Sequence, residues 1–123
     1  MSSSILNFEE TDAPFLADPA HSFTMPARFY TSDEVYELEK DAIFYKTWHY
    51  ACHVSQVTQP GAFFTTKIHE QNLFITRGRD NELRAFYNVC AHRGHELVAG
   101  SGRKSLITCP YHAWTFDLQG NLV

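Results

Sequence analysis

Two short segments each combine a thiol with an imidazole: Cys90-Ala-His92-Arg-Gly94 and Cys109-Pro-Tyr-His112, with sixteen residues between His92 and Cys109. Thiolate and imidazole are metal donors, and two of each make a complete set of four. A diiron cluster bridged by two sulfides needs two protein ligands per iron. If the cysteines take an inner iron and the histidines an outer one, two facing loops clasp the cluster symmetrically. Two ferric ions, two sulfides and two thiolates then sum to zero charge, whereas four thiolates leave two negative charges. The neutral cluster accepts an electron more easily, and its potential rises from about −400 mV to between about −150 and +300 mV.

The competing reading is a zinc site, because two Cys and two His also suit tetrahedral zinc. Zinc fingers pair Cys with Cys and then His with His, usually with the histidines on a helix. Here each loop mixes the two residue types, and each follows a strand. Gly94 lets the backbone approach the inorganic sulfides, and Pro110 stiffens the second loop. Both help to aim backbone N–H groups at the cluster. His95 is read as a loop residue over the cluster face and Trp114 as packing beneath the second loop. Tyr111 either donates to a cysteine sulfur or shields the cluster. His21, His49, His53 and His69 are expected to be structural, and Cys52 to be a packing residue.

The elements that must hold these loops follow from the hydropathy pattern. Residues 1–30 read as an extended arm, interrupted by Pro14, Pro19 and Pro26. A helix is expected over 31–47: Thr31 caps it, Glu34 completes a capping box, and Val35, Leu38, Ala42 and Tyr45 share one face. From Trp48 the pattern changes to strands: Trp48 to Val54, Phe63 to Ile68, Leu73 to Arg77, Leu83 to Val89, Leu106 to Thr108 and Ala113 to Asp117. Turns are expected at 58–61, 78–81 and 119–121, with a last strand beginning at Leu122. In Leu83 to Val89, Arg84, Phe86 and Asn88 face one way and the residues between them the other.

The bulk numbers fit a single globular domain. The chain has 123 residues, 44% hydrophobic and 20% charged, with ten Phe and six Tyr. Net charge is −4 and the ten Lys and Arg are scattered, which gives no footprint for nucleic acid. No apolar run is long enough to cross a bilayer. The N-terminus lacks the pattern of a signal peptide, and three cysteines argue against a disulfide framework. A cytoplasmic location is the expectation.

The stretches Asn88-Val-Cys-Ala-His-Arg-Gly94, Cys109-Pro-Tyr-His-Ala-Trp114 and Phe116-Asp-Leu-Gln-Gly120 resemble the N-terminal Rieske [2Fe–2S] region of the large subunit of Rieske non-haem iron oxygenases. The likeness extends back to about Pro26. It implies a small antiparallel β domain, with Cys90 and Cys109 on the inner iron and His92 and His112 on the outer. It further implies that His112 passes electrons to a neighbouring subunit of a homo-oligomer, and that a reductase or ferredoxin supplies them. The extra loop cysteines of cytochrome bc-type Rieske proteins are replaced here by His95 and Tyr111, which points to the low-potential end of the range. The mononuclear Fe(II) domain of the family would lie beyond Val123, so this stretch alone is not expected to hydroxylate a substrate. Met25-Pro-Ala-Arg-Phe-Tyr-Thr31, with both loop motifs, looks like members that demethylate quaternary amines such as stachydrine or glycine betaine. A free-standing Rieske ferredoxin and a zinc-stabilised binding module are the competing functions.

Overall fold

Residues 62–68, 71–77 and 83–87 are rich in β-branched and aromatic side chains, a composition suited to a pleated surface. In the computed structural model, which describes residues 16–123, they form three antiparallel strands: β1 Ala62–Ile68, β2 Gln71–Arg77 and β3 Leu83–Tyr87. A fourth strand, β4 Ser101–Arg103, pairs with the other side of β1, which gives the order β3-β2-β1-β4. A two-stranded ribbon, β5 Ile107–Thr108 with β6 Thr115–Phe116, completes the β structure. Leu122, where the sequence predicts the start of a further strand, forms an isolated bridge to Phe116.

The register places Phe74 opposite Phe86, with ring centroids 5.4 Å apart. Phe63 and Phe74 join Leu97, Val98, Ile107, Leu118 and the two cysteines Cys90 and Cys109 in one buried cluster, against which Phe86 and Phe116 pack. β3 alternates as expected, with Arg84 and Phe86 turned inward and Leu83 and Tyr87 outward. The central strand β2 buries Phe74, Ile75 and Thr76 in succession, so both of its faces are covered. The Val54–Val57 3₁₀ turn lies against β1 and β2, and its Val57 carbonyl accepts a hydrogen bond from Arg77 Nε at 2.6 Å. The start of β1 is pinned at Gly61, which has φ +84; a Cβ there would stand 2.4 Å from the Lys104 carbonyl oxygen.

Two expectations change. The expected strand from Trp48 to Val54 is absent. Trp48 and Tyr50 are exposed, and His53 instead caps the 3₁₀ turn. There His53 Nδ1 accepts from the Ser55 amide, and Gln56 Oε1 accepts from the His53 amide at 3.0 Å. A separate short helix, α1 Arg28–Thr31, begins within the stretch expected to be extended, and the expected helix over 31–47 is shorter, α2 Asp33–Ala42 followed by a 3₁₀ turn at Phe44–Lys46. Ser32, with ψ 123, separates the two helices, and its hydroxyl, not that of Thr31, caps α2 by accepting from the Val35 amide. Thr31 Oγ1 donates back to the Ala27 carbonyl at 3.1 Å. Of the expected inner face, Val35 is buried but Ala42 and Tyr45 are exposed. Lys40 is buried in their place, its ammonium 2.7 Å from the Glu37 carboxylate.

The chain divides into two compact units, one closing at His49 and one spanning Tyr50–Val123. Among the described residues, no helix is long and apolar enough to cross a membrane. The sequence expectations for residues 1–15 lie outside the described residues.

Candidate metal centre

Both ligand-bearing loops are built on the same hydrogen-bonded frame. In the first, which follows β3, the Cys90 amide donates to the His95 carbonyl at 2.8 Å and the Gly94 amide donates to the Cys90 carbonyl at 2.8 Å. In the second, between β5 and β6, the Cys109 amide donates to the Trp114 carbonyl at 2.8 Å and the Ala113 amide to the Cys109 carbonyl at 3.0 Å. The fifth residue of each turn is left-handed, Gly94 at φ +71 and Ala113 at φ +60. The sequence suggests that Gly94 makes room for close approach. A Cβ there would meet nothing within 4 Å of the protein, so the visible demand on this glycine is its φ.

The frame sorts the donors by depth. Cys90 and Cys109 are each 2% exposed and belong to the core cluster, whereas His92 and His112 are exposed. Both thiols are free, and the Cys90 thiol hydrogen-bonds the Cys109 sulfur. Burial works to raise the Cys109 thiol, but the amides of Tyr111 and His112 and the Cys90 thiol outweigh it and hold it below its ordinary range. The two imidazoles face each other across the loops, with centroids 4.9 Å apart and planes at 68°. The donors form a deep sulfur pair and a surface nitrogen pair, a sorting that suits a centre whose two metals have different ligands. The residues present therefore fit a mixed Cys/His diiron cluster.

The other loop residues have defined places. His95 Nδ1 lies 2.6 Å from the Glu96 carbonyl and does not join the imidazole pair. Trp114 does not lie beneath its own loop: its ring stacks on His92 of the first loop at 4.8 Å and 8°. Tyr111 stacks on His112 at 3.8 Å and 29°, and it is its amide, not its phenol, that faces the Cys109 sulfur. Cys52 is half-buried, and burial pushes its thiol up. His21 pairs with Asp18 at 2.5 Å and His49 hydrogen-bonds the Phe44 carbonyl, while His69 turns from β1 to β2 at φ +51.

Asn88 has no evident role in the sequence beyond opening the first motif. In the structure its side chain is buried, and Oδ1 accepts from the Leu97 and Val98 amides at 3.1 Å each. Its Nδ2 donates to the Val98 carbonyl at 2.7 Å. Asn88 thus ties the end of β3 to the segment that leaves the first loop. The only signal the sequence offers for this is an amide side chain two residues before a candidate ligand, on the inward face of a strand.

Two mirrored turns that bury thiols and present imidazoles define an iron–sulfur class of electron-transfer domain. The Rieske [2Fe–2S] domain model matches residues 47–123, and the chain belongs to that family. It is 53% identical to the carnitine monooxygenase oxygenase subunit of Acinetobacter baumannii over 93% of this chain and 31% of that protein. It is 36% identical to the glycine betaine monooxygenase oxygenase subunit of Pseudomonas aeruginosa over 90% of this chain and 26% of that protein. Among solved structures, it matches a quaternary ammonium Rieske monooxygenase, described for carnitine oxidation by gut microbiota and inter-subunit electron transfer. That match has a TM-score of 0.82 and 51% identity, and covers 90% of this chain and 32% of the other. The chain therefore spans between a quarter and a third of the length of these relatives.

Proposed function

We propose that this chain is the electron-transfer part of an oxygenase that hydroxylates or oxidatively N-demethylates a quaternary amine, with Cys90, Cys109, His92 and His112 as the cluster ligands. The observation that carries the reading is the sorting of donors: a buried thiol pair and an exposed imidazole pair 4.9 Å apart. When bound, a Rieske cluster takes up and returns one electron at a time. The chain's own residues do the rest. The two cysteines would hold the inner iron in the core, where the amides of Tyr111 and His112 favour negative charge on Cys109. The two histidines would hold the outer iron at the surface. His112 would be the exit toward a mononuclear iron held by a neighbouring subunit of a homo-oligomer, with a reductase or ferredoxin as the donor.

The segments that accompany this reading are an arm over 1–30, a helical stretch over 31–47 and the cluster domain over 48–123. The quaternary-amine substrate is supported by the carnitine and glycine betaine relatives. A cytoplasmic location is part of the same reading.

The test is metal analysis of natively expressed protein: iron with an equal amount of acid-labile sulfide is expected, and stoichiometric zinc sinks the proposal. In the loaded protein, His112→Cys should keep a cluster but lower its potential, because a thiolate adds negative charge. A potential that stays put or rises contradicts the ligand role. Stable cluster chemistry with no coupling to an oxygenase iron in the full reading frame would favour a free-standing ferredoxin.

A further inference from the structure

We propose that Trp114 and Tyr111 are positioning residues for the imidazole pair, stacked rings that set the planes of His92 and His112 before and after metal is bound. The proposal rests on the ligand assignment above. A histidine has a broad χ2 well, so until a metal is bound the plane of an exposed imidazole is loosely defined unless a neighbour sets it. Packing in a core usually removes that freedom, but these two imidazoles are exposed. What touches them is aromatic. The Trp114 ring lies almost parallel over His92, at 8° and 4.8 Å, and the Tyr111 ring covers His112 at 3.8 Å.

The connectivity makes this a brace between the loops. The Trp114 carbonyl closes the second turn by accepting from the Cys109 amide, while the Trp114 ring reaches a histidine of the first loop. Tyr111, also of the second loop, leans toward His95 of the first at 5.6 Å. Trp114, His92, His112, Tyr111 and His95 thus form one row of rings crossing both loops. Tyr111 is 55% exposed and Trp114 37%, so burial alone does not account for their placement. Offset-stacked and tilted rings have preferred geometries, and partners outside the coordination sphere orient metal-bound histidines. Both effects act here on the same pair of rings.

The experiment compares Trp114→Leu, Trp114→Phe, Tyr111→Leu and Tyr111→Phe in the protein carrying its cluster. The readouts are the histidine-nitrogen couplings of the reduced cluster, measured by pulsed EPR, and the rate of iron loss to a chelator. Both Phe variants should keep the parent couplings. Both Leu variants should alter them and lose iron faster, on the order of tenfold, the low end of what removing an outer partner of a ligating histidine costs in metal affinity. A Leu variant that fails to load while its Phe counterpart loads supports the proposal equally. Leu variants with parent couplings overturn it, even if they melt earlier, and so do Phe variants that fail alongside them. Should the parent itself lack couplings to two nitrogens, the ligand assignment falls and this inference falls with it.

Discussion

Ala113 sits at φ +60 in the second loop, where the first loop has Gly94 at φ +71. A left-handed residue with a Cβ is disfavoured by roughly 1 to 2 kcal/mol, and glycine gives back about half of that gain through its freer unfolded state. Ala113→Gly is therefore expected to raise stability by about 0.5 kcal/mol in urea titrations. It should also leave the Cys109 carbonyl bond to residue 113 in place, since that bond uses only the backbone. A loss of stability would mean that the Ala113 methyl makes contacts worth more than its strain. The same comparison explains why residue type alone located both loops. Thiol and imidazole announce donor chemistry, whereas the depth of each donor depends on backbone hydrogen bonds that any residue could make.

At the scale of elements, Asn88 is the joint on which the first loop turns. Its side chain replaces the hydrogen bonds that a paired strand would have given to Leu97 and Val98. Asn88→Ala leaves two buried amides without an acceptor, at about 1 to 3 kcal/mol each. A drop of about 3 kcal/mol in unfolding free energy is expected from these terms. A drop under about 1 kcal/mol would show that the segment relaxes to water. The three-strand meander was legible in the sequence because β-branched and aromatic residues cluster there between turn residues. Strand β4 was not, since Ser101-Gly102-Arg103 has no strand propensity and owes its conformation to pairing with Ala62, Phe63 and Phe64. Trp48 to Val54 failed the other way: strong propensity, but the segment is not a strand and its end is taken up by the His53-capped 3₁₀ turn. The helix cap slipped by one residue because Thr31 and Ser32 are chemically alike, and only the extended ψ of Ser32 separates them.

Across the whole molecule, with its net charge of −4, two turn aspartates are bound to the acid limb of stability. Asp80, in the turn between β2 and β3, is held at about 2, first by the Arg84 guanidinium that grips both its oxygens and then by the Glu82 amide, against a small opposing effect of burial. Asp117, in the turn after β6, is lowered by the Asn121 side chain and amide and by further turn amides. The turns are electrically linked, because Arg84 also feels Asp117 and Asp80 accepts from Gln119. A carboxyl depressed in the folded state stabilises fully above its ordinary pKa of 3.8, and that contribution disappears as pH falls through 3.8 toward 2. Asp80→Asn removes the titration while keeping the shape of the turn. Thermal melts from pH 5 to 2 should therefore show a shallower decline for Asp80→Asn than for the parent, with the two curves converging at the acid end. Because the pair is exposed, 1 M salt, with a screening length of about 3 Å, should shrink the difference between them. Parallel curves across the whole range would place the acid sensitivity elsewhere, with Asp117 and its Asn121 contacts the next group to vary.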